Sequence, residues 1–472
     1  MKSKIILLLL LAVPYLLIFK AFFLPGPLAF GDAPYFYTEN LSELFRKPLA
    51  WDFRTSNFGG GQEFILWLYI PTFLMGLLHF LTDFSSEFLI RILFYFPATL
   101  LAISGSYFFA GMYSKNKLAL VLSSLLYGFS NYFLLLLDGG QIGVALSYGL
   151  FPWTVLYLKK YSNENNYKNF ILATFFSALI TNIDLRIAFL SFVIFLVILA
   201  FEIFLKLTNI NKKEILNLII LFLVTLLLDA FWLIPLMKSS GSSNYIIQEA
   251  SSLNLISLLD SILLFSPHFP ENEFGKIVPP PFYFSLLPFL IFGGLLFKSA
   301  KKILPLGLTL IILIFLVKGS SEPISQVYSF LLNLPFGVSF RDSSKFFIPA
   351  LLISSVLLVV TFETIFKKKY MKKWAFILIY GYLLVLIWPA VFGQMSGVLA
   401  GKHFNNDYKI IYDFLGKDQN TFRTVWFPER PPLAFSTNGK EGINAGDLYK
   451  EKPFASKIQG NYDLFYFLHD EM

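Results

Sequence analysis

The sequence is dominated by repeated apolar runs about 20 residues long, the length that crosses a bilayer as an α-helix. Inside a membrane every backbone polar group must be hydrogen-bonded within the protein, so a chain with many such runs folds as a bundle of helices. Of the 472 residues, 56% are hydrophobic and only 14% are charged, whereas soluble domains are nearer a quarter charged. We therefore expect an all-α polytopic membrane protein.

The residue types that build many soluble sites are scarce. The chain has no cysteine, which excludes disulfides, zinc–thiolate sites and thiol catalysis. Its histidines, His79, His268, His403 and His469, are too far apart in sequence to form a helical metal-binding pair. The sequence also lacks a P-loop and an Asp-x-Asp pair, so neither ATP-driven transport nor a metal-clamped nucleotide sugar is indicated.

Apolar runs bounded by charged residues define eleven candidate spans. They cover residues 5–23, 88–112, 118–137, 141–158, 168–184, 187–207, 214–236, 281–297, 303–318, 346–366 and 374–393. Another run, Phe64–Thr82, is long enough to span but is interrupted by Pro71 and Gly76. No small-residue cleavage site follows the first run, so we expect residues 1–23 to remain as the first span.

The positions of Lys and Arg predict the orientation. With the N-terminus cytoplasmic and 64–82 not crossing, the short inner loops hold about 18 Lys and Arg residues, and the much longer outer segments hold about 8. Cytoplasmic loops are enriched in these residues, so this arrangement is favoured and 64–82 is expected to lie on, or dip into, the outer face. The net charge of +8 then comes from inner-loop lysines, and no nucleic-acid partner is expected.

This topology places four long segments, 24–87, 237–280, 319–345 and 394–472, outside the cytoplasm. We expect a transmembrane domain over 1–393, with surface helices in the first outer loop 24–87, and a small extracytoplasmic α/β segment over 394–472. In that segment Asp407–Leu415 has the pattern of an amphipathic helix and Thr421–Trp426 that of a strand. No clear closing element follows, so the chain is expected to be either short for its class or truncated. The protein should act at the outer face of the cytoplasmic membrane.

An acidic residue comes early in the first outer loop, in the run Gly31-Asp32-Ala33-Pro34. Gly31 frees the backbone and Pro34 stiffens the turn, so Asp32 is expected close to the bilayer surface. A carboxylate there can act as a general base toward an acceptor hydroxyl. On the residues alone, an Asp that merely stabilises a Gly-containing turn is the favoured interpretation.

Other polar residues are expected at the same face. Gln141 follows the turn Asp138-Gly139-Gly140, and Asp184 stands two residues before Arg186. Asp184 and Arg186 are equally well explained as an ion pair at a helix end. Hard cations bind carboxylates, so a divalent cation held by Asp32 with Asp52 or Asp184 stays open, although the residues define no firm metal site.

Three outer segments have an amphipathic pattern. Residues 41–58 are predicted to form a surface helix with Leu41, Leu44, Phe45 and Leu49 facing lipid. Residues 252–266 and 323–335 are predicted to lie in the outer interface, where they would wall a groove for an acyl or prenyl chain. Packing of these two segments over the bundle explains the same pattern equally well.

Two cations precede the tenth span, in the run Phe340-Arg341-Asp342-Ser343-Ser344-Lys345-Phe346. Arg341 and Lys345 are four residues apart and would share one face of a helix. Cations on the outer side oppose the positive-inside bias, and a phosphate or pyrophosphate near the surface would suit them. The alternatives are an ion pair between Arg341 and Asp342, or contact of Lys345 with a lipid phosphate.

Together these features resemble the GT-C class of membrane glycosyltransferases, and within it the arabinofuranosyltransferase-like group and related bacterial cell-envelope enzymes. The matching pieces are Gly31-Asp32, Asp138-Gly139-Gly140-Gln141 with Pro152, Asp184 with Arg186, Trp232 to Pro235, and Phe340 to Phe346. The last is similar to a Phe-Arg-x-Pro-x-Lys/Arg-Phe element, with Ser343 here in place of proline. Gly140-Gln141 stands where Gly-His is usual, and the resemblance covers roughly residues 1–430.

The resemblance implies an enzyme that uses a polyprenyl-phosphate sugar donor and a glycan or lipid-linked acceptor at the outer face. It makes Asp32 the catalytic base, and Arg341 and Lys345 the ligands of the donor phosphate. No cofactor is established by these residues, and a divalent cation stays open. Two alternatives stay open: a transporter or flippase of lipid-linked sugars, which the scarcity of mid-span charges disfavours, and a non-catalytic assembly factor of the cell envelope.

Overall fold

The computed structural model describes residues 2–26, 28, 31–33, 41–42, 44–45, 47, 51–52, 60–61, 69–209, 211–239, 256–267, 279–297, 301–334, 337–400, 407–418, 420, 422, 424, 436–437 and 440–441. The first ten α-helices are α1 Lys2–Ile18, α2 Tyr69–Thr82, α3 Ser86–Ile90, α4 Phe96–Ala110, α5 Lys117–Gly128, α6 Asn131–Asp138, α7 Ile142–Glu164, α8 Tyr167–Ile183, α9 Leu185–Phe204 and α10 Lys212–Leu228. The others are α11 Ala230–Ser239, α12 Leu258–Leu263, α13 Leu287–Phe292, α14 Leu304–Val317, α15 Ser325–Leu332, α16 Phe347–Ile365, α17 Lys369–Leu386, α18 Trp388–Val391 and α19 Asp407–Lys417.

All eleven predicted segments are helical over most of their length. Within the described residues, three helical stretches are long and apolar enough to cross a membrane: Ser86–Ala110, Leu185–Phe204 and Ser343–Ile365. The number rises to five if α5 with α6, bent by 43°, and α10 with α11, bent by 78°, each count as one span. The structure thus confirms an all-α membrane fold, while the count of eleven spans stays a prediction.

Polar caps at the helix starts explain where several apolar runs begin. The side chains of Asn116, Ser130 and Asn166 accept hydrogen bonds from the first turns of α5, α6 and α8. Asn211 and Glu214 form a reciprocal capping box at the start of α10. Such caps satisfy amide groups that the helix itself leaves without partners, so they fix each start at a defined residue.

The core is centred on α16, which is almost entirely buried and packs against α5, α13 and α14. Ser123 of α5 and Ser355 of α16 share a hydrogen bond of 3.0 Å between their hydroxyl oxygens. Small polar residues of this kind let apolar helices approach closely and bond across the interface. The result is a rigid centre from which the shorter helices and loops project.

The break between α5 and α6 is held by a pair of tyrosines. The rings of Tyr127 and Tyr148 stack with centroids 4.2 Å apart, and each hydroxyl donates to the backbone carbonyl of the other residue, at 2.9 and 2.7 Å. Ser130 caps α6 and also contacts the Tyr148 hydroxyl at 3.1 Å. The kink is therefore fastened to α7, and α6 is directed to the end of the bundle where Asp138 lies.

The surface helix predicted over 41–58 is wrong in two respects. Leu41 is fully buried instead of facing lipid, because the backbone near it packs on Gly76 of α2, where a side chain would not fit. Trp51–Asp52 is extended as β1 and pairs antiparallel with Gly60–Gly61, which is β2. The first loop thus folds back on α2, which is itself a helix as predicted for the run 64–82.

The amphipathic segments form shorter helices than their patterns predict. In α12, Leu263 is buried but Leu259 is exposed, so the predicted single apolar face is divided. In α15, Tyr328 and Leu332 are buried, while other apolar side chains such as Phe330 are exposed. One side of α15 thus packs on the protein, and the other side exposes apolar side chains that could contact lipid. The location of α15 in the outer membrane interface stays a prediction.

In the C-terminal segment, the predicted amphipathic helix is present as α19. The strand predicted over 421–426 lies mostly outside the described residues. Ser436–Thr437 (β3) pairs antiparallel with Lys440–Glu441 (β4). Two two-residue strands do not establish a domain, so the α/β character of 394–472 stays a prediction.

Candidate active site

The chain that leads to Asp32 is fastened to a π-helical turn at Arg91–Tyr95, between α3 and α4. The buried Arg91 guanidinium donates to the carbonyls of Phe22, Leu24 and Gly26, at 3.1, 2.8 and 2.6 Å. Tyr95 donates through its hydroxyl to the carbonyl of Leu28, at 3.1 Å. A planar guanidinium with five donors suits this task, and it fixes the start of the first loop.

Asp32 rests on the turn between α6 and α7. Its amide donates to the Gly139 carbonyl at 2.9 Å, and the Gln141 amide nitrogen donates to its carboxylate oxygen Oδ2 at 3.3 Å. Gly31 has a positive φ of 60°, and a β-carbon there would lie 2.4 Å from the Gly139 oxygen, so only glycine fits. The side chain of Asp32 is exposed, which leaves a carboxylate on a rigid support and open to solvent.

Asp184 and Arg186 form the ion pair that the sequence left as an alternative. The guanidinium binds both carboxylate oxygens, with Nε to Oδ1 at 3.0 Å and Nη2 to Oδ2 at 2.6 Å. Asp184 is buried and also caps α9, whereas one third of the Arg186 side chain, 33%, is exposed. A β-carbon on Gly143 would lie 3.9 Å from the Ile183 carbonyl, which places this pair next to the start of α7.

Arg341 and Lys345 do not share a helical face. Residues Gly337–Phe340 and Ser343–Phe346 form two separate 3₁₀ turns, and Arg341 lies between them. Arg341 is exposed, but Lys345 is buried and its ammonium pairs with the carboxylate of Asp342. The pair predicted as an alternative, Arg341 with Asp342, is thus replaced by Lys345 with Asp342.

The two ion pairs meet around Tyr132 of α6. The Arg186 guanidinium interacts electrostatically with Tyr132 and with Asp342 as well as with Asp184. The rings of Phe189 and Phe340, which flank the two pairs, lie 6.0 Å apart. The α8–α9 turn and the loop before α16 therefore form one polar region at the end of the bundle that also carries Asp32.

Two buried hydroxyls lie in this region. Those of Tyr132 and Ser344 are close enough to influence each other, but neither completes a hydrogen bond of ordinary geometry with the residues that the structure describes. Tyr132 also interacts electrostatically with Asp342, Arg186 and Asp184. The two hydroxyls therefore belong to the polar region that the two ion pairs form.

Three residues that shape the site were not predicted from the sequence. Arg91 could have been identified from the sequence, since it is the only charged residue inside the predicted span 88–112. Lys318 is buried after α14, and its ammonium donates to the carbonyls of Gly319 and Ser321. Tyr328 donates to the Phe340 carbonyl, and burial raises the pKa of its phenol, so it remains a neutral donor. The contacts of the last two residues involve backbone carbonyls, which no side-chain pattern reveals.

The metal hypothesis gains no support from these residues. Asp184 is engaged by Arg186, and the side chain of Asp52 lies outside the described residues. Among the residues that the structure describes, no group of three or more His, Asp or Glu side chains is arranged to hold a metal ion. The divalent cation therefore stays a prediction.

No protein-family model and no curated protein matches the sequence. Among solved structures, arabinofuranosyltransferase AftD from Mycobacteria matches with a TM-score of 0.58 at 14% identity, over 96% of this chain and 31% of that one. A mutant of AftD gives a TM-score of 0.64, also at 14% identity, over 96% and 33%. ArnT from Cupriavidus metallidurans gives 0.50 at 10% identity, over 96% and 86%.

These likenesses concern the fold. The chain has the fold of the GT-C membrane glycosyltransferases, to which AftD and ArnT belong. It spans about a third of the length of the AftD chains it matches. The resemblance given by the sequence motifs is thus confirmed at the level of fold, and the roles of individual residues are proposals.

Proposed function

We propose that this protein is a glycosyltransferase of the cytoplasmic membrane. It transfers a sugar from a polyprenyl-phosphate donor to a cell-envelope glycan or lipid-linked acceptor at the outer face. In this proposal eleven spans, a cytoplasmic N-terminus and an extracytoplasmic C-terminus place Asp32 outside the cell. Nucleotide sugars are absent there, and a lipid-linked donor fits a chain without a nucleotide-binding motif.

The exposed carboxylate of Asp32 is the observation that carries the proposal. The backbone contact with Gly139 holds its main chain, and the Gln141 amide orients one of its oxygens. The side chain is therefore fixed in position and yet open to solvent. A carboxylate with both properties can take a proton from an acceptor hydroxyl that approaches from outside.

The basic side of the candidate site consists of Arg186, Arg341 and Lys345, and Arg341 is the proposed ligand of the donor phosphate. It is exposed, it lies beside the polar region around Tyr132, and its guanidinium can bind two phosphate oxygens. Arg186 is the proposed second ligand, since a third of its side chain is exposed although two of its nitrogens bind Asp184. Lys345 offsets the charge of Asp342 and would reach a phosphate only if that ion pair opened.

The chemistry then follows from these positions. The acceptor hydroxyl oxygen attacks the anomeric carbon of the donor sugar, and its proton moves to the carboxylate of Asp32. The bond between the anomeric carbon and the phosphate oxygen breaks, and its electron pair leaves with the polyprenyl phosphate. Arg341 and Arg186 stabilise the negative charge that develops on this leaving group.

The test is a transfer assay with purified protein in detergent. Radiolabelled polyprenyl-phosphate pentoses and hexoses are offered with a cell-envelope glycan acceptor. Asp32→Asn removes the base without changing its shape, and transfer is expected to fall on the order of 1,000-fold. The matched control is Asp83→Asn, because Asp83 is exposed, follows α2, and has a positive φ of 56° that Asn tolerates.

The outcomes separate the proposed functions. Loss of transfer in the Asp32 variant, with a wild-type rate in the Asp83 variant, supports the glycosyltransferase. Full activity of the Asp32 variant contradicts it. Passage of the labelled donor across liposomes that contain the protein, without any transfer, would instead establish the transporter.

A further inference from the structure

Asp138 occupies an unfavourable position for a carboxylate. It is the last residue of α6, where the helix carries a partial negative charge, and its exposed fraction is 0%. An acidic side chain is costly there unless hydrogen-bond donors surround it. Its surroundings therefore indicate what it does.

The donors come from the chain that follows the last long helices. The backbone amide of Gly397 donates to both carboxylate oxygens at 3.0 Å, that of Leu399 to Oδ1 at 2.9 Å, and that of Ser396 to Oδ2 at 3.3 Å. The side chains of Met395, Val398 and Leu399 are buried. Three amides around one carboxylate form a cradle for an anion. Asp138 thus binds residues 396–399, which we name the 396–399 loop.

The same turn supports Asp32 one residue later. Gly139 accepts the Asp32 amide, the backbone of Gly31 lies against it, and Gln141 donates to the Asp32 carboxylate. Tyr95, which holds the carbonyl of Leu28, interacts electrostatically with Asp138. Asp138 is therefore the point at which the first loop, the α6–α7 turn and the 396–399 loop come together.

We propose that Asp138 is a positioning residue for Asp32, which it serves by clamping the α6–α7 turn to the 396–399 loop. The inference rests on the proposed role of Asp32 as base. It assigns a function to the chain after α18, which would otherwise be only a connection to the C-terminal segment. A misplacement of about 1 Å at a reacting group costs up to 100-fold in rate, so a loosened clamp must be visible in catalysis.

The first test is kinetic. Asp138→Asn keeps the shape but turns a charged acceptor into an amide that faces three N–H donors. It is expected to lower kcat by about 10- to 100-fold and to leave the KM for a polyprenyl-phosphate sugar unchanged. The control is Asp260→Asn, because Asp260 is also buried but caps only its own short helix, and kcat should be retained.

A second pair of variants changes the 396–399 loop, which supplies the donors to Asp138. Ser396→Pro removes one of the three donors, whereas Ser396→Ala keeps it. The Ser396 hydroxyl makes no hydrogen bond to the described residues, so only the proline variant should lower kcat. This pair tests the clamp even if the Asp138 variant aggregates.

A distance measurement supplies a readout that loss of stability alone would not move. The chain has no cysteine, so nitroxide labels can be placed at Ala33→Cys and Gln394→Cys without other changes. Pulsed electron resonance should give one narrow distance distribution in this background. The added Asp138→Asn change should broaden it.

The results distinguish this inference from the proposed function. Suppose that Asp32→Asn is inactive, while Asp138→Asn retains the wild-type kcat or the narrow distance distribution. The positioning role of Asp138 is then wrong, and the role of Asp32 as general base is retained. An equal loss in the Ser396→Pro and Ser396→Ala variants also overturns the clamp. If Asp32→Asn is active, the proposed function fails first.

Discussion

The acidic and basic sides of the candidate site are built in opposite ways. On the acidic side, Asp32 is exposed, and a backbone contact and the Gln141 amide hold it in place. On the basic side, Arg186 and Lys345 are each paired with an acid of their own chain. Arg341, in contrast, is exposed and makes no ion pair with the described residues.

This difference indicates a division of labour. An exposed carboxylate on a rigid support can accept a proton, and its activity depends on its position. Cations that are paired with acids lose most of their net charge, so binding of a phosphate depends on the exposed Arg341 and on the exposed part of Arg186. Changes on the acidic side should therefore lower kcat, and changes on the basic side should raise the KM for the donor.

After the loss expected for Asp32→Asn itself, the largest effect in this comparison is expected at Gly31. Gly31→Ala forces a β-carbon to within 2.4 Å of the Gly139 oxygen and strains a positive φ, so the Asp32 loop must move. We expect kcat to fall about 100-fold with an unchanged KM for the donor. The measurement is steady-state transfer at varied donor concentration.

The control for this variant is Gly143→Ala on α7, where the nearest atom to a new β-carbon is 3.9 Å away. That variant should behave like the wild type. A Gly31→Ala protein with normal kcat would show that the contact with Gly139 does not position the base. The role proposed for the acidic side would then be contradicted.

A smaller effect is expected at Arg341. Arg341→Ala removes the exposed guanidinium, and the KM for a polyprenyl-phosphate sugar should rise about 10-fold, as expected for the loss of a charged hydrogen bond. The KM for the acceptor should change much less. The matched control is Lys238→Ala, since Lys238 is an exposed cation at the end of α11. Equal changes in both KM values would indicate a structural role for Arg341.

Much of the fold could be predicted from the sequence. Apolar runs and their charged boundaries located the helices, because in a membrane length and hydropathy are strong constraints. The sequence also predicted that Asp32 lies near the turn at Gln141, since both were expected at span ends on the outer face of the membrane. Helix breaks such as the one at Ser130 were missed, because only the tyrosine contacts with α7 show how a broken span is held.

The partners of the charged residues could not be predicted. Spacing placed Arg341 and Lys345 on one helical face, but the loop forms 3₁₀ turns and Lys345 turns inward to Asp342. Asp138 and Arg91 bind backbone groups distant in sequence, and a pattern of side chains carries no information about such partners. A site built from long-range backbone contacts is thus visible only in three dimensions.

Donor binding by the Asp32→Asn and Arg341→Ala variants tests the division of labour most directly. The amount of radiolabelled polyprenyl-phosphate sugar retained by each purified variant gives its Kd without any need for turnover. We expect Asp32→Asn to bind the donor as tightly as the wild type does, and Arg341→Ala to bind it about 10-fold more weakly. Equal loss of binding in both variants, or tight binding by Arg341→Ala, would contradict the assignment of chemistry to one side and donor recognition to the other.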